Sequence, residues 1–486
     1  MSSVPGIQNE AVKQYKQSFL SDPKNRLARN VCSKQDLWDV CKNPDVIHTT
    51  PHVYNCKVSE GKPMTNQKSS GRCWIFACLN VIRSKCMSQF KVENLEFSQN
   101  YLFFWDKVER ANYNLQCYVQ CASKGETADG RLVHHLLFNP AEDGGQWDMM
   151  INLIEKYGIV PKTCCPDAQS AEASVKFNRL INNKMREFCN CLQTMVKDGA
   201  SEAKVQAEKT RMMEQIYRIA ATCLGTPSET FTWEFYDLEK NYVKIGPIKP
   251  VDFYRQYIKP IYNMEDKVCL VNDPRPNHSY GKLYTVDYLG NMTGGRPVLY
   301  INQPIEVLKK VTIASLKDDE AVWFGCDVGK CFYRQAGLLD LDVLDLDLVF
   351  GTNMLGMSKA DRLIYGESLM THAMTLTAAQ VEEDEIFIWI YTYKFLPAIY
   401  RVNYIFKCKS SVCFAGFDCK ATRWRVENSW GDTDGDKGYI AMSDNWFSEF
   451  VYEVVVDKKY LTSDMLDVLK QTPVVLPAWD PMGALA

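Results

Sequence analysis

Hydrophobic and polar positions divide the chain into a helical first part and a strand-rich second part. In the first part apolar residues recur at helical spacing, most clearly over residues 147–157, which follow two glycines and end at Gly158. From about residue 231 onward, runs of β-branched and aromatic residues alternate with turn signals and predict strands at residues 321–326, 368–376, 424–428 and 450–456. The chain is therefore predicted to adopt an α+β fold.

The same pattern divides the chain into five predicted regions. Short amphipathic helices occupy residues 1–60, and a first helical half occupies residues 61–165. A charge-rich helical stretch at residues 166–230 is interpreted as an inserted subdomain. Its apolar residues repeat at roughly helical spacing, as at Leu180, Met185, Phe188 and Leu192. The strand-rich half spans residues 231–476, and an apolar arm, residues 477–486, ends the chain.

Cys73 lies in a run that is typical of a cysteine nucleophile, QKSSGRCWIFA at residues 67–77. Serine and glycine before the thiol predict a tight turn, and the apolar residues after it predict a buried helix. The sulfur would then lie at a helix N-terminus, where unpaired N–H groups and the helix dipole favour the thiolate. Gln67, six residues upstream, offers a side-chain N–H that can stabilise an oxyanion.

Two later segments supply the partners that a cysteine nucleophile requires. Of the six histidines, His372 lies in a run shaped like a core strand, residues 368–376. Asn428 lies in the run WRVENSWG at residues 424–431. Its side-chain oxygen is predicted to accept the imidazole N–H, and Trp430 is predicted to shield that bond from water. Cysteine, histidine and asparagine follow in the order of papain-like enzymes, as nucleophile, proton carrier and orienting amide.

On these motifs the chain resembles the bleomycin hydrolase family, the self-compartmentalising branch of the papain-like cysteine peptidases. The resemblance covers nearly the whole length and includes further specific segments at residues 97–105, 143–148, 231–234, 270–276 and 477–486. It implies a papain-like fold with a helical half and a β-barrel-like half. It also implies a thiol aminopeptidase that forms an acyl-enzyme on amides at the N-terminus of peptides and on amino-acid amides, including the β-aminoalanine amide of bleomycin.

The resemblance also implies an assembly. Members of the family form six-subunit barrels in which the active sites face an inner channel, so a homohexamer is expected. Residues 1–60 are then a hook that contacts neighbouring subunits. Peptides or amino-acid amides are the expected substrates and other copies of the chain the expected partners.

Further substrate contacts follow from the same resemblance. The backbone of Gly144 and Gly145 is expected to form a substrate-binding edge, because a side chain there would block an extended peptide. A plain turn before the helix is the alternative for these glycines. The free carboxylate of Ala486 is expected to pair with the α-ammonium group of the substrate, which would make the enzyme an aminopeptidase.

Residues 386–417 depart from the family pattern, in which a much shorter connection joins the strands that carry the histidine and the asparagine. The apolar stretch at residues 386–406 has the length of a membrane span. However, it contains Lys394 and Arg401, and each charge near the centre of a membrane helix costs on the order of 2.5–3.5 kcal/mol. We therefore expect no membrane contact but an extra sequence at the tip of a hairpin.

Composition and charge narrow the remaining possibilities. The net charge of −3 provides no general attraction to nucleic acid or to anionic membranes. The first residues lack the basic and apolar regions of a secretory signal, so a cytoplasmic protein is expected. The 19 cysteines are odd in number and lack a paired zinc-binding spacing, which favours reduced thiols with neither a metal nor another cofactor.

Two other functions remain open on the sequence alone. One is a catalytically weak hexameric scaffold or nucleic-acid-binding protein of the same fold. Such a protein would not need the complete catalytic set of Gln67, Cys73, His372 and Asn428. DNA binding is known within the family, but acidic residues are interleaved with the basic ones in residues 166–230, which favours a solvated helix face. An ordinary papain-class endopeptidase would carry a signal peptide and a propeptide, neither of which the sequence predicts.

Overall fold

The structure, a computed structural model, describes residues 6–382 and 420–485. Four short helices come first: α1 (Asn9–Ser21), α2 (Pro23–Cys32), α3 (Leu37–Cys41) and α4 (Pro44–Thr49). The last three begin after residues whose side chains accept N–H groups of the first turn, namely Asp22, Asp36 and Asn43. Helices α1, α2 and α4 contain no fully buried residue among those described, although Val46 and Ile47 of α4 pack against a small buried cluster. A short strand, β1 (Cys56–Lys57), follows them.

Buried helices form the first half of the fold: α5 (Cys73–Phe90), α6 (Gln99–Ser123), α7 (Arg131–Phe138) and α8 (Trp147–Tyr157). Helix α5 is buried on every side from Cys73 to Ser84, as its apolar sequence requires. The helix predicted over residues 147–157 is confirmed as α8, which Gly158 ends with a φ of +78°. A Cβ at Gly158 would lie 2.1 Å from the backbone of Pro250, so both conformation and space require glycine.

Three helices follow in the stretch that the sequence assigns to an inserted subdomain: α9 (Gln169–Glu172), α10 (Val175–Lys197) and α11 (Glu202–Leu224). Helices α10 and α11 pack against α6, so they extend the core of the helical half. Met185, Phe188 and Leu192 are buried as their spacing predicts, but Leu180 is 53% exposed. Ile181 occupies the core instead, because a separation of four residues, unlike five, keeps two side chains on one helix face.

The second half is a large, mainly antiparallel sheet with a separate hairpin of β2 (Phe231–Tyr236) and β3 (Tyr242–Ile248). Beside β1, the sheet contains β4 (Lys267–Val271), β5 (Lys282–Val286), β6 (Tyr300–Asn302), β7 (Val322–Cys326), β8 (Phe332–Tyr333), β9 (Leu338–Leu339), β10 (His372–Glu382), β11 (Lys420–Glu427), β12 (Tyr439–Ser443), β13 (Val451–Asp457) and β14 (Val474–Leu476). Their order is β14-β5-β6-β4-β13-β7-β10-β11-β12-β9-β8, and β1 pairs with β10. The helices of this half are α12 (Pro250–Phe253), α13 (Ile305–Lys317), α14 (Leu346–Phe350), α15 (Lys359–Tyr365), α16 (Asp444–Phe450) and α17 (Ser463–Val468).

Strand β10 lies inside the sheet between β7 and β11. The strand predicted over residues 368–376 is confirmed from His372 onward. At the other end of β10, Glu382 pairs with Lys420 of β11. The predicted extra segment, residues 386–417, falls between these two residues and lies outside the described residues. Within the described residues, every helix is too short or too polar to cross a membrane.

Candidate active site

Cys73 is the first residue of α5 and has only 2% of its surface exposed. The loop before it is fixed by its own side chains. The amide N–H of Gln67 donates to the Ser70 carbonyl at 2.5 Å, and the Ser70 hydroxyl donates to the Gln67 carbonyl at 2.6 Å. The backbone N–H of Gly71 donates to Asp143 Oδ2 at 3.1 Å. This turn holds the sulfur at the start of a buried helix.

His372 and Asn428 are brought together by adjacent strands. His372 begins β10, and Asn428 directly follows β11, which runs antiparallel to β10. His372 Nε2 lies 2.9 Å from Asn428 Oδ1, and the backbone N–H of Ser429 donates to the same oxygen at 2.8 Å. Since an amide oxygen only accepts hydrogen bonds, Nε2 carries the proton and Nδ1 keeps the lone pair that can receive another.

Trp430 lies beside the imidazole. The ring centroids of His372 and Trp430 are 5.0 Å apart. The guanidinium of Arg334 lies 4.8 Å from the centre of the indole, and the ring of Phe332 lies 6.0 Å away. His372 and Asn428 are both buried, so little water can compete for the hydrogen bond between them.

Cys73 and His372 belong to different halves of the fold, and contacts between α5 and β10 join these halves. The Thr375 hydroxyl donates to the Ala77 carbonyl at 3.2 Å. The backbone N–H of Ala373, the residue after His372, acts on the Cys73 thiol and lowers its pKa. The thiol and the imidazole therefore belong to one buried site at the junction of the two halves.

Burial controls the charge state of both groups. It raises the pKa of the Cys73 thiol to about 11, although backbone N–H groups of Ala373, Trp74 and Cys73 itself act to lower it. It lowers the pKa of the His372 imidazole to about 4, although the hydrogen bond to Asn428 acts to raise it. In this structure the pair is therefore neutral near pH 7, because burial outweighs the helix-terminal N–H groups that favour the thiolate.

Gln67 connects the cysteine loop to the asparagine loop. Its backbone N–H donates to the Ser429 carbonyl at 2.7 Å, and the Ser429 hydroxyl donates to Gln67 Oε1 at 2.6 Å. One N–H of the Gln67 amide is engaged by the Ser70 carbonyl. A primary amide has two N–H groups, so the second can serve an oxyanion.

Gly144 and Gly145 are buried just before α8. A Cβ on Gly145 would lie 2.6 Å from the indole of Trp74, which follows Cys73. The Trp74 indole N–H in turn donates to the Asp143 carbonyl at 2.6 Å. Close packing against α5 is therefore one reason why residue 145 is a glycine.

Asp143 supports the loop before Cys73, a role that the sequence patterns leave unassigned. Besides Gly71, its carboxylate accepts hydrogen bonds from Lys107 and Asn178, both at 2.7 Å, and from the Ser174 hydroxyl. Burial raises the pKa of Asp143, but Lys107 and the hydroxyl and amide donors lower it overall, to about 2. The available sequence signal was an aspartate directly before two glycines.

The C-terminal arm is anchored beside the two glycines. The side-chain N–H of Gln146 donates to the Ala484 carbonyl at 2.6 Å. The Tyr300 hydroxyl donates to the Met482 carbonyl at 3.2 Å. Gln146 is a further contact that the sequence patterns did not identify, although it directly follows the glycine pair.

A cavity of about 540 Å³ lies between this arm and the residues that precede His372. Both sides contribute to its wall, including Leu369, Met370, Thr371, Gly483 and Leu485. Ala486, which the sequence predicts to contact the substrate, lies outside the described residues.

The arrangement is suited to acyl transfer by a thiol. A buried thiol, an imidazole with a free Nδ1, an amide that orients it and an amide N–H near the thiol loop are the groups that such a reaction uses. Within residues 6–382 and 420–485, no cluster of three or more histidine, cysteine, aspartate and glutamate side chains is arranged to hold a metal ion.

Comparison with known proteins identifies the family. The chain matches the model of the Peptidase C1-like family over residues 6–390 and 409–483. The chain belongs to the Peptidase C1-like family. The internal gap in this match, residues 391–408, falls inside the extra segment predicted from the sequence.

The most similar relatives of this Peptidase C1-like protein include two groups of enzymes. It is 52% identical over 485 residues to bleomycin hydrolase of Homo sapiens, across 100% of both chains. It is 36% identical over 483 residues to aminopeptidase C of Lactobacillus delbrueckii subsp. lactis, across 99% of this chain and 98% of that one. The crystal structure of PepW from Lactobacillus rhamnosis HN001 matches with a TM-score of 0.89 and 39% identity, across 100% of both chains.

These similarities confirm the papain-like α+β fold and the family predicted from the sequence. The protein is a cysteine aminopeptidase.

Proposed function

We propose that this cysteine aminopeptidase cleaves the N-terminal residue from peptides and amino-acid amides, including the β-aminoalanine amide of bleomycin, through an acyl-enzyme on Cys73. The observation that carries the proposal is the 2.9 Å hydrogen bond from His372 Nε2 to Asn428 Oδ1. It orients the imidazole so that Nδ1 is the free base. The hydrogen bond from the Thr375 hydroxyl to the Ala77 carbonyl, 3.2 Å long, supports the pairing of thiol and imidazole, because it joins the helix that begins at Cys73 to the strand that begins at His372.

In the proposed reaction, the thiol proton of Cys73 passes to Nδ1 of His372 as the sulfur attacks the substrate carbonyl carbon. The carbonyl oxygen takes up the electron pair and is stabilised by the Gln67 amide and by backbone N–H groups at the start of α5. The tetrahedral intermediate collapses, the C–N bond breaks, and His372 protonates the leaving amine. A water molecule, deprotonated by His372, then hydrolyses the thioester and regenerates the thiol.

The restriction to one terminal residue is proposed to come from the C-terminal arm, residues 477–486. The hydrogen bond from Gln146 to the Ala484 carbonyl supports this role, because Gln146 directly follows the glycines of the proposed substrate edge. The free carboxylate of Ala486 then pairs with the α-ammonium group of the substrate. A longer chain on that side of the scissile bond would collide with the arm.

We further propose that the enzyme is a cytoplasmic homohexamer in which residues 1–60 contact neighbouring subunits. Support comes from apolar side chains that α1 and α2 leave exposed, with Tyr15 and Leu27 each 65% exposed. Cysteines in the described part of the chain, such as Cys41, Cys73, Cys117 and Cys269, are free thiols, as is usual in a reducing compartment.

Nucleic-acid binding has less support as the main function. Basic residues on α10 and α11 pair with acidic neighbours on the same helix, Lys184 with Glu187 at 2.6 Å and Arg211 with Glu208 at 2.8 Å. Such pairs are typical of a solvated helix surface. The acidic partners neutralise the positive charge that would be needed to bind the phosphate groups of a nucleic acid.

The test compares an aminoacyl fluorophore with its N-acetylated form, and follows a synthetic peptide by mass spectrometry. We expect hydrolysis of the free amine only, and a peptide ladder with steps of one residue. A variant without residues 483–486 should lose this restriction and cleave the acetylated substrate. Cleavage of casein at internal bonds by the wild type would favour an endopeptidase, and a pure protein without turnover would favour a scaffold.

A further inference from the structure

The C-terminal arm is tied to the body of the enzyme by an ion pair between Asp480 and Arg275. Arg275 Nη2 lies 2.7 Å from Asp480 Oδ1, and Nη1 lies 3.1 Å from Oδ2, so the contact is bidentate. The same guanidinium donates to Asp273, with Nη2 2.8 Å from Oδ2. The side chains of Arg275 and Asp480 are only 12% and 7% exposed. This burial distinguishes the pair from the weak ion pairs of the surface.

Arg275 is itself held in a fixed position on the connection between β4 and β5. The backbone N–H of Asp273 donates to Asn302 Oδ1 at 2.9 Å. The Asn302 amide donates back to the carbonyls of Asp273 and His278, at 3.0 and 2.9 Å. The His278 imidazole also hydrogen-bonds the Asp273 carboxylate. The backbone segment that carries the Arg275 guanidinium is therefore held rigidly by hydrogen bonds.

Asp480 also fixes the residues that follow it in the arm. Its Oδ1 accepts the backbone N–H of Met482 at 2.9 Å, and its carbonyl accepts the N–H of Gly483 at 2.8 Å. These bonds close a single turn, and the next residue, Ala484, is bound by Gln146 through its carbonyl. A displacement of Asp480 would therefore also displace Ala484, which lies beside the glycine pair only one turn further along the chain.

We propose that the Arg275–Asp480 ion pair sets the register of the arm and thereby fixes the removal of one residue per cleavage. This inference rests on the proposed role of the arm in substrate binding. Arg275 acts through Asp480 and so is a positioning residue. Without the ion pair, the part of the arm up to Leu485 loses its fixed position beside the glycine pair. The α-ammonium group of the substrate then loses binding energy, while the groups that carry out the chemistry stay in place.

The test uses full-length Arg275→Met and Asp480→Asn, assayed on an aminoacyl fluorophore and on a synthetic peptide. We expect KM to rise about tenfold while kcat stays within about threefold of the wild type. The peptide ladder should gain steps longer than one residue. Asp480→Asn keeps an oxygen that can accept the Met482 N–H, so it separates the ion pair from the turn. Arg211→Met, which removes an exposed paired arginine from α11, is the matched control and should behave like the wild type.

A truncated variant without residues 483–486 separates this inference from the proposed function. If truncation changes the ladder while both ion-pair variants keep the wild-type KM and single-residue steps, the inference about Arg275 is wrong and the role of the arm stands. If truncation leaves the ladder unchanged, both are wrong. A fall in kcat with unchanged KM and step length would also overturn the positioning role, because it would indicate a general structural defect.

Discussion

Gln67 and Ser429 form two hydrogen bonds between the halves of the fold, one from the Gln67 N–H to the Ser429 carbonyl at 2.7 Å and one from the Ser429 hydroxyl to Gln67 Oε1 at 2.6 Å. Gln67 belongs to the loop before Cys73, and Ser429 directly follows Asn428. The group proposed to stabilise the oxyanion and the group that orients the imidazole are therefore one connected unit.

Ser429→Ala should lower kcat/KM about fivefold to tenfold and leave the fold intact. It releases Gln67 Oε1 but keeps the backbone bond, and one buried hydrogen bond contributes about 1 kcal/mol. Steady-state kinetics and thermal unfolding provide the measurement. Thr222→Ala removes an exposed hydroxyl from α11 and is a suitable control. Wild-type kcat/KM in Ser429→Ala would contradict a role for this contact in orienting Gln67.

Cys73→Ser should abolish measurable turnover, with a fall of at least about 10³-fold, while the melting temperature stays close to that of the wild type. Asn428→Ala should be milder, because it misorients the base without removing it. Kinetics on an aminoacyl fluorophore, with iodoacetamide labelling and mass spectrometry, would test both. Near-normal activity of Cys73→Ser would mean that another group is the nucleophile.

Residues defined by local pattern were predictable from the sequence. Cys73 follows a Ser-Gly-Arg turn and opens an apolar helix, so its place at the start of α5 followed from neighbouring residues alone. The end of α8 at Gly158 was predictable for the same reason, since glycine adopts a positive φ without strain.

Contacts between distant segments were not predictable in this way. Arg275 and Asp480 are 205 positions apart, and neither lies in a local pattern that identifies the other. Leu180 was wrongly grouped with Met185, because a separation of five residues turns it away from the buried face that Ile181 shares. Likewise, the helix terminus suggested a thiolate at Cys73, whereas the burial that opposes it depends on packing of the whole site.

In the His372→Gln variant, the free energy of unfolding should fall less than in the wild type as the pH is lowered from 6.5 to 4. Burial lowers the folded-state pKa of His372 to about 4, below its ordinary value of 6.5. As the pH falls, the imidazole takes up its proton in the unfolded chain before it does so in the folded protein. The stability of the folded protein relative to the unfolded chain is therefore highest, as far as His372 is concerned, above pH 6.5, and this contribution is lost as the pH falls to 4. The difference is on the order of 3 kcal/mol. Urea unfolding at several pH values would measure it.

In this experiment, His134→Gln on the exposed surface of α7 is the control. The control should lose stability between pH 6.5 and 4 as steeply as the wild type. A His372→Gln variant that loses stability in parallel with both would show that the histidine does not titrate with the expected shift.

Glu453→Gln should stabilise the protein above neutral pH. Glu453 on β13 is 1% exposed, and neither carboxylate oxygen has a conventional hydrogen-bond partner among the described residues. Burial raises its pKa to about 8, so the folded state keeps a proton that the unfolded chain releases above pH 4.5. The contribution of Glu453 to the free energy of unfolding is therefore fully present below pH 4.5 and is lost as the pH rises to 8.

Glutamine keeps the size of the side chain and removes the titration. The free energy of unfolding of Glu453→Gln should exceed that of the wild type by on the order of 4 kcal/mol at pH 8, and the gain should shrink toward pH 4.5. Exposed Glu214→Gln is the control and should show no such pH-dependent gain. A gain that is the same at both pH values would contradict the assignment to a buried, protonated carboxyl.

Deletion of residues 386–417 should leave kcat/KM within about twofold of the wild type, because loop length has only a logarithmic effect on stability. Glu382 pairs with Lys420 at the exposed end of the β10–β11 hairpin, while His372 begins β10 at its opposite end. The deletion leaves residues 383–385 and 418–419, enough to close a hairpin. It also removes apolar residues such as Phe387 and Trp389, so solubility should improve. Unfolded or inactive protein would instead make the segment an integral part of the β half.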